Sequence, residues 1–319
     1  VKVKQTGVFF GLLAGAFWGF SFLVPRLLPG ISPRQIAFGR FEWFGLFSVI
    51  ALFRQGGFHR NGVVFRYWRP ALILALAGYS FYYLLLVASI QRIGIPISSL
   101  IVGLIPVTVS LFSRDPIERP GHFYFGLTGI VVGMGILNRQ AFLHEPALWQ
   151  LESGIGILLA LVCLLLWSYF AVMNARFLKS HPEIKSSEWS SVLGVYTALA
   201  TLILDPLVRG LNLEGSAVKP EALGDPKFLI CTGGLGLFST FFATRLWNRA
   251  SLVLPTGLVA QLIVSETFFA LVYSFLYDQK FPKLAEWIAM SLVLGGVMLA
   301  IRAYQIFDVT PKLSRSENL

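Results

Sequence analysis

Runs of about twenty apolar residues recur ten times along this chain, separated by short polar gaps, and that recurrence leaves little choice of environment. A bilayer hydrocarbon core about 30 Å thick takes roughly 20 residues of helix to cross. The runs cover approximately 8–28, 33–53, 70–91, 95–113, 121–138, 153–175, 187–208, 227–248, 254–276 and 284–304. No sizeable soluble domain fits between them. Composition agrees: 55% of the 319 residues are hydrophobic and 13% are charged, with mean hydropathy +0.70, against about 25% charged in soluble domains. In lipid every backbone polar group must be bonded internally, so only helices and closed barrels span. Runs of this length without period-two alternation select helices. The expectation is an all-α membrane protein of ten transmembrane helices.

Lys and Arg set the orientation. With the N-terminus cytoplasmic, sixteen of the 26 basic residues fall inside, nine fall outside, and Arg40 lies within a span. The tail 314–319 resembles the start of an engineered protease-site linker; without its Arg315 the bias is fifteen to nine. Both termini are therefore expected in the cytoplasm of a bacterial inner (plasma) membrane. The net charge of +10 reads as this bias rather than as a nucleic-acid surface. The first apolar run lacks a small-residue cleavage site and meets Pro25-Arg26, so it reads as a span and not a signal peptide. Cys163 and Cys231 lie in apolar stretches and read as buried hydrophobes rather than a disulfide.

The chain also repeats itself. Trp18 in the first helix is matched by Trp167 in the sixth. Ser80-Phe-Tyr-Tyr is matched by Ser239-Thr-Phe-Phe, and Ile95-Pro96 by Leu254-Pro255, both at an offset of 159. Gly133 and Arg139 are matched by Gly296 and Arg302. Two halves follow, 1–145 with helices 1–5 and 146–313 with helices 6–10. An odd number of helices per half forces the halves to insert with opposite topology.

The segment from Thr240 to Ala250, followed by Leu254-Pro255, resembles the second repeat of drug/metabolite transporters with paired EamA domains. The stretch from Ala88-Ser89 to Pro106, leading to Arg114-Asp115, resembles the matching part of the first repeat. The resemblance spans nearly the whole chain, and within the family it is strongest to bacterial exporters of aromatic and other amino acids. Where the family usually has Pro in the ninth helix, this chain has Ser265-Glu266. The acidic residue often found after the fourth and ninth helices is represented by Asp115 and Asp278. The resemblance implies two inverted five-helix repeats, alternating access and a central cavity lined by helices 1–4 and 6–9.

Ionisable groups inside a membrane are costly, roughly 2.5–3.5 kcal/mol at a helix centre on insertion scales, and so they are informative. Glu266 sits about twelve residues into the ninth span, and Arg40 about seven from the outer end of the second. Either they meet the charged ends of a zwitterionic solute, or they form a structural ion pair, with Arg245 as a rival partner for Glu266. Glu42 follows Arg40 on nearly the opposite helix face. The aromatics Trp18, Tyr79, Tyr82, Tyr83, Trp167 and Tyr169 suit a stacking pocket, or else helix packing. Gln261 and Asn174 suit hydrogen bonds to solute or, more commonly, between helices. Pro96, Pro106 and Pro255 are hinge candidates. Gly126, Gly129, Gly133, Gly295 and Gly296 suit close packing of a scaffold or a dimer face. Trp68, Trp149, Trp189 and Trp287 at span ends read as interface anchors.

No Walker-type phosphate loop, HExxH or Cys/His cluster is present, and the four histidines fall in loops or at span ends. The chain thus reads as a secondary transporter rather than an enzyme, with no cofactor and no metal. Its partners are a small-molecule solute and the lipid bilayer, with no nucleic acid, and it is a monomer or weak homodimer. Rival readings are export of cationic drugs or nucleoside-like metabolites and, from another class, an intramembrane lipid-modifying enzyme.

Overall fold

The computed structural model describes residues 2–58, 62–113, 121–143, 151–210, 224–279 and 281–306. Arg114-Asp115, Trp149 and the tail 314–319 lie outside the described residues. All regular structure among the described residues is helical. Seven helical stretches are long and apolar enough to cross a membrane: Gln5–Leu27, Arg34–Gln55, Trp68–Ile93, Glu152–Ser180, Ser186–Leu207, Pro226–Val253 and Thr256–Asp278. Tyr124–Ile136 and Leu284–Leu299 are shorter apolar helices.

Helix α1 runs Lys2–Leu27 and α2 runs Pro33–Gln55. The start of α2 is written in its sequence. Ser32 Oγ accepts from the Gln35 backbone N–H at 3.2 Å, Gln35 Oε1 accepts from the Ser32 N–H at 3.3 Å, and Pro33 fills the first turn. This reciprocal cap satisfies two donors that a helix start otherwise leaves open. At the other end Gly56 takes a left-handed φ of 71°, which a residue with a Cβ adopts at a cost. The short α3 (Val63–Arg66) leads into α4 (Trp68–Ala75), a π-helical segment at Leu76–Ser80, and α5 (Phe81–Val102).

Helix α5 is wound helically throughout yet is not straight. The hydroxyls of Ser89 and Ser98, nine residues apart, are 2.9 Å from each other. In a straight helix they would be about 13 Å apart along the axis. The chain therefore folds back between them. After a turn at 103–104 comes α6 (Ile105–Phe112), then α7 (Gly121–Leu143).

The second half of the chain contains α8 (Leu151–Ser180), α9 (Ser186–Gly210), α10 (Pro226–Gly234), a π-helical segment at Leu235–Phe242, and α11 (Ala243–Val253). It ends with α12 (Thr256–Leu262), α13 (Ser265–Asp278) and α14 (Leu284–Ile306). The principal packing pairs are α1 with α11 and α13, α8 with α5 and α6, α2 with α9, and α7 with α14.

Small residues set these approaches. A Cβ on Gly133 would lie 2.9 Å from the Ala289 carbonyl oxygen, and one on Gly194 would lie 2.8 Å from Ser48 Cβ. Gly126 and Gly296 meet directly, so α7 and α14 close on each other; Gly295 faces open space. Such contacts suit a bilayer, where close van der Waals packing replaces the hydrophobic drive between helices. Outward stripes are apolar: Leu158, Leu161 and Leu165 on α8, and Leu46, Ile50 and Phe53 on α2.

One expectation is corrected. Trp189 is not an interface anchor. It is fully buried, stacked on Phe177 with ring centroids 3.9 Å apart, and its Nε1–H donates to Asn174 Oδ1 at 2.8 Å. The first turn of α9 tucks under α8, so a residue at the span end is inside the bundle. Arg34 is buried and ion-paired with Asp205 of α9. Glu42 is exposed, on the same outward stripe of α2 as Leu46, Ile50 and Phe53. Trp68 and Trp287 are about half exposed, as anchors require. Cys163 and Cys231 are both free thiols.

Candidate functional site

The middle of the bundle is built around two interrupted helices. Between α5 and α6 the backbone tightens into three-residue turns, with Leu104 N–H donating to Ile101 O at 3.1 Å and Val107 N–H to Leu104 O at 2.9 Å. Pro106 explains this break, because it has no N–H to continue the ladder. Between α12 and α13 the same happens at Ile263-Val264, with Glu266 N–H donating to Ile263 O at 2.9 Å. No proline stands there. The two broken helices are joined by Gln261, which is fully buried. Its Nε2 donates to the Pro106 carbonyl at 3.3 Å and to Ser110 Oγ at 3.0 Å. Gln261 thus links helices.

The interruption sets Glu266 in the first turn of α13, where exposed backbone N–H groups favour a negative charge. Helix α1 comes close because Gly15 has no side chain: a Cβ there would meet Ser265 Oγ and lie 3.1 Å from the Glu266 nitrogen. Among the described residues the Glu266 carboxylate has no hydrogen-bond partner and no cation within 4 Å. Arg40 is the cation whose charge it feels, across a wider gap. Arg245 does not reach it. The Arg40 guanidinium lies over the Phe41 ring at 4.9 Å and the Tyr83 ring at 5.7 Å, and its Nη1 donates to Ser21 Oγ at 2.9 Å. Its buried Nε–H has no partner among the described residues.

Aromatic rings surround this pair of charges. Tyr82 lies within electrostatic range of both Arg40 and Glu266. Tyr79 packs edge-on against Phe41 at 6.0 Å and Phe170 at 5.3 Å, and its hydroxyl is 3.0 Å from Thr244 Oγ1. Trp18 and Trp167 do come together, but through a third ring. Trp247 sits 5.3 Å from Trp18 and 6.0 Å from Trp167, centroid to centroid. Trp247 is 2% exposed and its Nε1–H is buried with no acceptor among the described residues. It was present in the sequence only as part of a resemblance motif. Its position near a span end hid its place between the two repeat-related tryptophans. Tyr169 is not brought to this cluster; it continues the outward stripe of Leu158, Leu161 and Leu165.

Below the tryptophans a closed polar network fixes the cytoplasm-facing half expected from the charge bias. Asn174 Nδ2 donates to Asn248 Oδ1 at 2.7 Å, and Asn248 Nδ2 donates to Ser190 Oγ at 2.8 Å. Ser190 Oγ in turn donates to the Ser186 carbonyl at 2.7 Å. Asn248 adjoins Trp247, so this network orients the ring that bridges Trp18 and Trp167. Leu254 and Pro255 are extended and form the whole connection between α11 and α12. Lys179 Nζ donates to the Leu254 carbonyl at 3.0 Å there. Chemically, the centre offers two opposed charges that are not paired with each other, aromatic faces, and unbonded donors. No group of three His, Cys, Asp or Glu among the described residues is placed to hold a metal ion.

Comparison with known proteins gives the same picture. The chain is 30% identical over 321 residues, covering 98% of this chain and 99% of its relative, to the protein named inner membrane protein YtfF of Escherichia coli (strain K12). One crystal structure superposes with a TM-score of 0.73 at 21% identity, covering 92% of this chain and 98% of that one, which supports the fold alone. The model of the EamA-like transporter family matches twice, over residues 5–137 and 154–302. The chain belongs to the EamA-like transporter family.

Proposed function

We propose that this protein is an alternating-access secondary transporter that exports amino acids, aromatic ones among them, or similar small metabolites across a bacterial inner membrane. The observation that carries the reading is the pair Arg40 and Glu266: a guanidinium and a carboxyl group that do not close into an ion pair, with Tyr82 and Tyr83 beside them and three tryptophans clustered on one another in the same bundle. A zwitterion with an apolar side chain complements that arrangement, its carboxylate toward Arg40 and its ammonium toward Glu266.

Ten helices in two inverted repeats, 1–145 and 146–313, are part of the proposal. Several features support them. Both π-helical segments end on or near the matched residues Ser80 and Ser239. Both helix interruptions fall at matched places, 103–104 and 263–264. The partners of α1 in the second half mirror those of α8 in the first. Ion pairs Arg26–Asp278, Arg34–Asp205 and Arg92–Glu152 gather at the end that the Lys/Arg bias assigns to the outside, with both termini at the other end. In this reading Pro96, Pro106 and Pro255 stand at the turns about which the halves rock. The name of the Escherichia coli relative supports the inner membrane as the location.

The test is counterflow of labelled L-phenylalanine, within a panel of amino acids, in proteoliposomes. Wild type exchanges it, Glu266→Gln loses most exchange while folding normally, and Trp167→Ala loses bulky aromatic solutes first. No exchange of any amino acid by wild type, or full exchange by both variants, refutes the reading.

A further inference from the structure

Three arginines lie inside the described membrane spans away from their ends or beneath the surface, and the chain treats them differently. Arg34 is buried against a carboxylate, Asp205. Arg40 and Arg245 have no carboxylate within 4 Å among the described residues, and they share one construction. Each donates one guanidinium N–H to a serine hydroxyl, Arg40 to Ser21 and Arg245 to Ser191, both at 2.9 Å. Each lies over an aromatic ring, Arg245 at 3.9 Å from the centroid of Phe241. Each leaves a buried Nε–H without an acceptor.

The two guanidiniums stand at different levels of one seam. Helix α2 and the π-helical segment before α11 run side by side, since Gly236 lies against the backbone of Arg40 and Phe44, and Phe241 against Phe47. Arg245 is nine residues beyond Gly236, or roughly 13 Å further along the axis. A guanidinium holds its proton in proteins, so both are permanent cations. Arg249, one turn further along α11, repels it. A half-buried cation given one serine hydroxyl and a ring, next to another cation and with its enclosed Nε–H unbonded, is short of an anion.

We infer that Arg245, held in place by Ser191, is a second anion-recognition point that takes the carboxylate of a solute about 13 Å from Arg40, on the side the Lys/Arg bias assigns to the cytoplasm. Its place as an entry station in export rests on the proposed function; the anion site itself does not. The two guanidiniums would then hold the same carboxylate in succession, each by the planar fork that suits it.

The probes are benzoate, which has only the carboxylate, and benzylamine, which has only the ammonium. Their binding is measured to purified full-length protein in phosphatidylcholine nanodiscs, with wild type, Arg40→Gln, Arg245→Gln, Arg245→Lys and the double Gln variant. Wild type binds two benzoates, each single Gln variant binds one, and the double variant binds none. In Arg40→Gln, adding Arg245→Lys weakens the remaining benzoate by on the order of tenfold, as loss of a charge-assisted fork predicts. Benzylamine binding is unchanged by Arg245→Gln. One benzoate in wild type, loss of all benzoate binding in Arg40→Gln alone, or equal weakening of benzylamine in Arg245→Gln overturns the inference. So does loss of the second benzoate when half the lipid is phosphatidylglycerol, because a lipid phosphate would then own the site. None of these readouts needs transport, so absence of L-phenylalanine counterflow would sink the proposed function and leave this result standing.

Discussion

Replacing Asn174 by Leu removes the hub of the polar network that joins α8, α9 and α11 while keeping the branched layout of four side-chain heavy atoms. Two bonds go: the one from Trp189 Nε1 and the one to Asn248 Oδ1. Interhelical hydrogen bonds in membranes average about 0.6 kcal/mol and reach about 1.7, because the unfolded chain in lipid also finds partners. Here the upper figure applies. Asn174, Trp189, Ser190 and Asn248 are all fully buried, so neither water nor a lipid headgroup replaces the lost partner. Two bonds near the upper limit give a loss of about 3 kcal/mol, or some two powers of ten in the folding equilibrium. The assay is unfolding by dodecyl sulfate in mixed micelles, followed by circular dichroism and by tryptophan emission. The pairing also predicts coupling. After Asn174→Leu, the further change Asn248→Leu finds its Asn174 bond already gone, so the double variant is more stable than additivity requires by about 1 kcal/mol. A loss under about 1 kcal/mol, or strict additivity, would refute the claim that this network is a closed unit.

Two further outcomes follow from packing and charge. Gly133→Ala, whose Cβ meets the Ala289 carbonyl at 2.9 Å, is expected to cost about 1–3 kcal/mol in the same unfolding assay. Gly295→Ala, which meets nothing within 4 Å, is the neutral control; equal effects would remove the close α7–α14 contact as the cause. A cysteine placed at His181 should react with a membrane-impermeant maleimide only from the cytoplasmic side and one at Gln279 only from outside, and labelling of both from one side would break the assigned topology.

What the sequence made legible was whatever lipid enforces everywhere. The long apolar runs, the capping box at Ser32 and Gln35, the small residues of α7 and α14, and the proline-driven break at Pro106 all follow from local chemistry. Gln261 was legible as a polar group that must find a partner, and its partners are Pro106 and Ser110. The second interruption, at 263–264, was not legible, because no proline marks it. It is held from outside by Gln261 and by the close approach of Gly15, contacts about 150 and 250 residues away in sequence. Trp189 was misread for a related reason: position in a span predicts depth in the bilayer, while burial depends on which helix covers that depth.

Trp247 shows where this limit touches function. Its helix, α11, alternates buried Thr244, Trp247, Asn248 and Ser251 with half-buried or exposed Arg245, Leu246 and Arg249, so its polar residues fall on both faces. Hydropathy alone cannot say which face is the inside of such a helix. The assignment comes from Asn174 and Ser190, which supply partners to Asn248 and so turn Trp247 toward Trp18 and Trp167. On the neighbouring side of the same helix, Arg245 meets Ser191 and Phe241. One short polar helix therefore presents the bridging ring to the central aromatic cluster and a cation to the α2 seam. The rotation of α11 about its own axis is set by a hydrogen-bond network with α8 and α9.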